Sequence, residues 1–185
     1  LNETITLLKS LISTPSFSKE EDKTAELIVS FFAKKGILTH RFLNNVWVKN
    51  KYYSVDKPTL LLNSHHDTVK PNTSYQRNPF EAALEDDKLY GLGSNDAGGA
   101  LVCLLFSFLH YFERKDLPYN IIFAATAEEE ISGKNGIEAL LPHLGKVDFG
   151  IVGEPTEMNV ALAEKGLLVL DCKAKGKSGH AARSS

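Results

Sequence analysis

Two histidines and an aspartate stand together just after a short apolar run in the first half of the chain. The run is Thr59–Leu62, and His65, His66 and Asp67 follow it. His65 and Asp67 are two residues apart, so in an extended backbone they point to the same side. A carboxylate beside an imidazole can hold a metal-binding histidine in one tautomer and orientation. The stretch alone leaves two interpretations open, a metal ligand with its orienting acid or an ordinary polar strand end.

Acidic side chains also stand where three further segments end. They are Asp96 in a glycine-dense stretch, Glu129 and Glu130 after a second apolar run, and Glu154 after a third. If these runs are parallel strands, their C-terminal ends meet at the edge of the sheet where ligands bind in open α/β folds. Acids gathered there repel one another unless cations neutralise them. We therefore expect a metal centre at this edge.

The residue types also indicate which metals and which reaction such a centre would serve. Imidazole combined with carboxylates suits zinc, with manganese or cobalt as substitutes. A carboxylate that bridges two ions roughly 3.5–4 Å apart is the usual core of a two-metal hydrolase. An acid left over after ligation is a natural general base for water.

Strands that alternate with helices would place these groups at one edge. The pattern of apolar residues predicts helices over 1–12, 18–35, 100–112 and 136–144, and strands over 38–42, 46–49, 59–62, 120–125 and 148–152. Ser18 is predicted to cap the second helix, Asn44 and Asn45 to form a tight turn, and 70–87 to be a loop. This order indicates an α/β fold with a mostly parallel central sheet flanked by helices.

Composition and charge exclude several classes of partner. The chain has 185 residues, 43% of them hydrophobic, and a net charge of −2, which is typical of a globular domain and gives no attraction to nucleic acid or membranes. We expect no nucleic-acid partner and no membrane partner. Cys103 and Cys172 form no disulfide framework, which favours a reducing, cytoplasmic location.

Competing motifs are weaker. The stretch from Gly91 to Asp96 begins like a dinucleotide-binding fingerprint but has an aspartate where the third glycine belongs. The run 128–130 could be a solvated acidic patch, although it directly follows a buried-type apolar strand. The sequence has no nucleophile elbow, no phosphate-binding loop and no CxxC pair.

Four motifs in register resemble the dinuclear zinc amidohydrolases of the M20 type. They are Ser-His65-His-Asp67-Thr-Val, Tyr-Gly-Leu-Gly-Ser-Asn-Asp96, Thr-Ala-Glu128-Glu129-Glu130 and Val-Gly-Glu154-Pro-Thr. The family includes acetylornithine deacetylase, succinyl-diaminopimelate desuccinylase, aminoacylase and related carboxypeptidases. The resemblance runs from about residue 3 to the end and is closest to the acetylornithine deacetylase and succinyl-diaminopimelate desuccinylase branch.

The resemblance implies two Zn²⁺ ions per complete active site, with Co²⁺ or Mn²⁺ as alternatives. By this likeness His65 and Glu154 would ligate the first metal and Glu130 the second, and Asp96 would bridge both.

It also implies catalytic and orienting roles. Asp67 would orient His65, and Glu129 would be the general base and later the general acid. His180 matches a lid-domain histidine that reaches the active site of a neighbouring subunit and stabilises the oxyanion. The peptide bond after Asp96 would be cis, as it is in the family.

The same likeness divides the chain into two parts. Residues 1–160 would belong to the catalytic domain, and 161–185 would begin a smaller α+β lid and dimerisation domain, with a hairpin or long bent strand over 160–173. Gly98 stands where the family often has a lysine. The second metal's histidine normally comes from a later segment, so the chain looks like the N-terminal part of a longer, homodimeric enzyme.

The expected activity is hydrolysis of the amide bond of an N-acyl amino acid. The resemblance favours N-acetylornithine, with N-acetylcitrulline or N-succinylornithine as variants, in arginine biosynthesis. A dipeptidase or carboxypeptidase on the same scaffold is one alternative. A non-catalytic metal-binding module is a second.

Overall fold

The fold is described from a computed structural model, for residues 2–163, 165–166, 168, 170 and 172–176. The helices are α1 (Asn2–Ile12), α2 (Asp22–Ala33), α3 (Ala100–Tyr111) and α4 (Ile137–Leu144). The strands are β1 (His40–Phe42), β2 (Asn45–Lys49), β3 (Thr59–His65), β4 (Ala83–Glu85), β5 (Lys88–Tyr90), β6 (Asn120–Thr126) and β7 (Phe149–Val152). A π-helical turn (Ser94–Gly99) precedes α3, and a 3₁₀ turn (Glu129–Ile131) follows β6.

Five strands form the central sheet in the order β1-β2-β6-β3-β7. β3 pairs in parallel with both β6 and β7, whereas β2 is antiparallel to β6 and to β1. Four of the five strands therefore run in one direction and β2 opposes them. The predicted α/β fold with a mostly parallel sheet is confirmed.

Helices cover both faces of this sheet because its central strands are apolar on both sides. Every residue of β6 is buried. On one face Phe123 packs with Phe32 of α2 and Phe108 of α3. On the other face Ile122 packs with Leu140 of α4. Consecutive residues of a strand point to opposite faces, so one strand supplies both cores.

Phe32 is the aromatic centre of the larger core. Its side chain is fully buried, and its ring lies edge-on to Phe31 and Phe108 and within 5.9 Å of Phe123. We expect Phe32→Ala to lower the free energy of unfolding by ~3–5 kcal/mol, because it leaves a cavity among these rings. Urea denaturation would measure the change. Leu38→Ala is the control, since Leu38 is 80% exposed, and equal losses in both variants would contradict this packing.

Two local predictions differ from the structure. The segment 70–87, predicted as a loop, contains β4 and leads into the β4–β5 hairpin. Its turn uses Asp86 and Asp87, both at positive φ, as the common two-residue hairpin turn requires. The turn between β1 and β2 consists of Leu43 and Asn44, and Asn45 already pairs with Phe42 in the sheet.

The chain divides into two compact units after Pro155. The first unit contains every helix and strand given above. Among the described residues from Thr156 onward there is no helix or strand. The hairpin predicted over 160–173 lies partly outside the described residues. No helix in the described part of the chain has the length and apolar character needed to cross a bilayer.

Candidate metal centre

The candidate site lies at the C-terminal ends of β6, β3 and β7, which are neighbours in the sheet. His65 ends β3 and lies level with Thr126, the last residue of β6. Directly after β7, the backbone N–H of Gly153 donates to the Asn63 carbonyl (2.8 Å), and the Ser64 hydroxyl donates to the Gly153 carbonyl (2.8 Å). The turns that follow these three strands therefore start at one edge of the sheet.

The buried imidazole of His65 stands at the centre of this edge. Its Nε2 lies 3.1 Å from an Asp96 oxygen, 3.8 Å from a Glu129 oxygen and 3.7 Å from a Glu154 oxygen. Burial by itself lowers the pKa of His65. The hydrogen bonds and negative charges of Asp67 and Glu154 outweigh that effect and raise its pKa to about 11. The surrounding acids thus strongly favour a positive charge at Nε2.

Asp67 connects His65 to the turn that carries the other acids. The His65 Nδ1 lies 3.0 Å from the Asp67 carbonyl oxygen and 3.4 Å from its carboxylate. The same carboxylate accepts hydrogen bonds from the backbone N–H groups of Glu129 (3.1 Å) and Glu130 (3.2 Å) and from the Ser18 hydroxyl (2.7 Å). Burial alone would raise the pKa of Asp67, but these bonds and His65 lower it below its usual range. A buried carboxylate with so many donors is ionised and held in place.

Ser18 consequently does not cap α2. The helix begins at Asp22 without a side-chain cap, because the Ser18 hydroxyl is turned toward Asp67. A hydrogen bond to an ionised acceptor is stronger than one between two neutral groups. The Ser18 hydroxyl therefore bonds to Asp67, 49 positions away in the sequence, and not to the start of α2 as the local motif predicts.

Glu129 and Glu130 follow β6 and face the same space. Burial raises the pKa of Glu129, and repulsion from Glu154, Asp67 and Asp96 adds to this, against the opposing effect of His65. Burial and the charge of Asp96 raise the pKa of Glu130 in the same way. Both shifts show that these acids lie close enough together to repel one another.

Asp96 reaches the centre from the π-helical turn before α3. Its backbone is non-helical, and the peptide bond between Asp96 and Ala97 is cis. The cis bond expected from the family resemblance is thus present. Gly93 stands before this turn in a left-handed conformation, and its carbonyl accepts the N–H of Gly98 (2.9 Å).

Three of these side chains could hold one metal ion. One donor atom from each of His65, Asp96 and Glu130 lies within 4.8 Å of the other two. Donors at zinc–ligand distances of about 2.0–2.2 Å in a tetrahedral site are roughly 3.3 Å apart, close to the 3.1 Å between His65 and Asp96. One imidazole and carboxylates are also ligand types that zinc, manganese and cobalt accept. The residues present therefore fit a divalent cation.

A cleft of about 310 Å³ opens beside these acids. Its wall includes His65, Glu129 and Glu154, together with Ile137 and Val152. This volume is at the lower end of the range for small-molecule sites. The cleft can thus bring a small polar molecule with an apolar portion next to the candidate metal ligands.

The sequence of this region matches a known family. Residues 61–167 match the model for peptidase family M20/M25/M40. The chain belongs to this family. The match includes the ends of β3, β6 and β7 and the turn before α3 that together form the site.

Several proteins with M20-type sequences or folds resemble the chain. A succinyl-diaminopimelate desuccinylase from Rickettsia bellii (strain OSU 85-389) is 30% identical over 194 residues, which cover 96% of this chain and 50% of that protein. The chain thus spans about half the length of the curated relatives it matches.

Solved structures of M20 proteins share the fold. An M20 metallo-carboxypeptidase from Sulfolobus solfataricus superposes with a TM-score of 0.68 at 26% identity, covering 83% of this chain and 37% of that one. A dinuclear metal-binding M20 peptidase from Bacillus subtilis gives a TM-score of 0.59 at 18% identity, covering 82% and 42%.

The structure brings together six of the residues predicted for this M20 site. They are His65, Asp67, Asp96, Glu129, Glu130 and Glu154. Their individual roles stay predictions. His180 lies outside the described residues.

Both ring nitrogens of His66 are engaged by groups other than these acids. Its Nδ1 lies 2.9 Å from the Thr24 hydroxyl and its Nε2 lies 2.9 Å from the Asn44 carbonyl. Burial lowers the pKa of His66. The Thr24 hydroxyl also lies 3.0 Å from the Glu21 carbonyl. His66 thus ties α2 to the β1–β2 turn behind the site.

Sequence reasoning missed three residues that support the M20 site. Ser18 binds Asp67, Glu21 accepts the N–H of Glu128, and the buried Glu128 carboxylate accepts from Asn135. Ser18 and Glu21 read locally as a capping motif. No local signal pointed to contacts that span 49 and 107 residues.

Proposed function

We propose that the chain carries the metal site of an M20 amidohydrolase that cleaves the amide bond of an N-acyl amino acid. One observation carries the proposal. Four carboxylates converge on the buried imidazole of His65, and donor atoms of His65, Asp96 and Glu130 lie within 4.8 Å of one another. Acids in this number without a cation nearby would repel one another.

His65, Asp96 and Glu154 would hold one cation, and Asp96 and Glu130 would hold a second. Zinc is the proposed metal, with Co²⁺ or Mn²⁺ as substitutes. Cations bound there would polarise the amide carbonyl and lower the pKa of water in the site.

The chain's own residues would carry the proton transfers. Glu129 would take a proton from a water molecule as the water oxygen adds to the amide carbonyl carbon. It would then pass that proton to the amine nitrogen when the C–N bond breaks. The position of Glu129, with a carboxylate oxygen 3.8 Å from His65 Nε2, supports this role. Asp67 would keep His65 oriented. In a homodimer formed through the lid domain, His180 of one subunit would stabilise the oxyanion in the active site of the other.

The acyl group that we propose is succinyl, on a diamino acid. The relative of 30% identity is named succinyl-diaminopimelate desuccinylase, which supports a dicarboxylic acyl group over the acetyl group expected from the sequence motifs. N-acetylornithine is the second substrate to test. A carboxypeptidase or dipeptidase activity is favoured by one observation, the 26% identity and TM-score of 0.68 to the metallo-carboxypeptidase.

A direct comparison of substrates tests this proposal. The natural polypeptide that contains this sequence should hydrolyse N-succinyl-diaminopimelate with a kcat/KM at least about tenfold above that for N-acetylornithine or a dipeptide. The highest kcat/KM on a dipeptide would support the peptidase alternative. Metal binding without hydrolysis of any of the three would support a non-catalytic metal-binding module.

The 185-residue chain itself should bind divalent metal unequally. Its described residues bring one histidine and several acids together, so we expect a first Zn²⁺ to bind more tightly than a second, with little hydrolysis. Calorimetric titration would measure both affinities. His110→Ala is the control, because His110 is exposed in the last turn of α3, whereas Asp96 precedes the first turn of that helix. Equal, tight binding of two ions would contradict this expectation.

A further inference from the structure

Glu21 is a fully buried acid at the start of α2. One of its carboxylate oxygens accepts the backbone N–H of Lys19 (2.6 Å) and that of Glu128 (3.2 Å). The other accepts the side-chain amide of Asn44 (2.8 Å). All three donors are neutral amides. A carboxylate is tolerated in the interior only when such bonds replace the water it has lost.

The bond to Glu128 completes a series along the turn after β6. The N–H groups of three consecutive residues are held by two buried carboxylates. Glu21 holds that of Glu128, and Asp67 holds those of Glu129 and Glu130. The turn that presents the candidate base and a candidate metal ligand is thus fixed from α2 and from β3.

The backbone at Glu128 needs such support. It has φ 56° and ψ 23°, a left-handed conformation that is uncommon for a glutamate. Its buried carboxylate accepts the side-chain amide of Asn135 (2.8 Å). A β-carbon at Gly133 would lie 2.1 Å from this carboxylate, so glycine is required there. The conformation of Glu128 is therefore set by its neighbours and not by its own preference.

We propose that Glu21 is a positioning residue for the metal site. Through the N–H of Glu128 it fixes the direction in which the next two residues present Glu129 and Glu130 to His65 and Asp96. This inference rests on the proposed function, since it assumes that Glu130 is a metal ligand. It assigns a role to a residue that lies outside the four family motifs.

Two substitutions separate the hydrogen bond from the packing. Glu21→Met keeps the length of the side chain but removes every acceptor, so the N–H of Glu128 is left buried and unpaired. Glu21→Gln keeps one oxygen, which can still accept from Lys19 and Glu128. Its new NH₂ group faces the Asn44 amide, so only the bond to Asn44 is lost. We expect the first variant to disturb the turn and the second to preserve it.

Co²⁺ binding to the chain, followed by calorimetry and by visible absorption, is the readout. E21M should weaken the tightest Co²⁺ binding about tenfold, the lower end for residues that support metal ligands, and should change the absorption spectrum. E21Q should restore both. In a double-mutant cycle, E21M should cost little more in an E130A background, because Glu21 acts through Glu130.

Ile28→Val provides the control for a merely structural effect. Ile28 is fully buried on α2, and its apolar side chain cannot form a hydrogen bond to the turn after β6. It should lower the melting temperature and leave Co²⁺ affinity unchanged. If E21M does not fold, E21D serves in its place. The aspartate side chain is one methylene shorter, so its carboxylate lies farther from the N–H of Glu128.

The outcomes distinguish this inference from the proposed function. The role of Glu21 would be overturned, and the metal site would stand, if E21M and E21D changed the wild-type Co²⁺ affinity by less than about twofold. Independent, multiplying effects of E21M and E130A on Co²⁺ affinity would have the same meaning. Failure of the wild-type chain to bind Co²⁺ would overturn the metal site and this inference together.

Discussion

Replacing Glu129 with glutamine should lower kcat by roughly 10²–10⁴-fold, the usual contribution of a general acid–base residue. The amide has nearly the shape of the carboxyl group but cannot take a proton from water. The backbone N–H of Glu129 would still donate to Asp67, so the turn and the fold should be unchanged. The measurement is steady-state turnover of N-succinyl-diaminopimelate by the natural polypeptide that contains this sequence, with metal content determined in parallel.

Glu138→Gln is the matched control for this experiment. Glu138 is exposed in the first turn of α4, and the same chemical change there should leave kcat unaltered. The proposed base would be wrong if E129Q kept kcat within about threefold of wild type while binding metal normally. Loss of metal together with turnover would instead assign Glu129 to ligation.

Replacing Asp67 with alanine should weaken both the fold and the metal site. The substitution leaves the N–H groups of Glu129 and Glu130 and the hydroxyl of Ser18 without their acceptor. Removing one partner from a buried charged network costs roughly 3–5 kcal/mol of unfolding free energy. Loss of the group that orients a metal-binding histidine lowers metal affinity by about 10–100-fold. Urea denaturation and Co²⁺ titration would measure the two effects.

Asp56→Ala is the control, because Asp56 is exposed and its loss should change neither quantity. Metal affinity that survives in D67A would mean that His65 is held well enough by its packing alone. In that case the proposed orienting role of Asp67 would have to be abandoned, even if the variant were less stable.

The architecture could be predicted from the sequence because it depends on local signals. β3 and β6 are apolar runs bounded by polar residues, and α3 is apolar enough to be recognised as a buried helix. The antiparallel position of β2 could not be predicted in this way, because the residue pattern of a short strand does not specify which strand it pairs with or in which direction. The β4–β5 hairpin was missed because Asp86 and Asp87 adopt positive φ only in the context of the pairing.

The candidate site was predictable to the level of residue types. His65, Asp96 and Glu154 each follow an apolar run or a glycine-dense turn, and parallel pairing of β3 with β6 and β7 brings these ends to one edge. The acids could therefore be predicted without any knowledge of distances. The hydrogen bonds that orient them could not be predicted.

The sequence by itself determined the order of the helices and of the central-sheet strands, the chemistry available at their ends and the family to which they belong. Only the tertiary structure decided that Ser18 binds Asp67 and not the start of its own helix, and that Glu21 holds a turn 107 residues away. The physical reason is the same in both cases. A buried carboxylate must be paired with donors wherever the fold places them, and that requirement outweighs the weaker preference of a residue for a local cap.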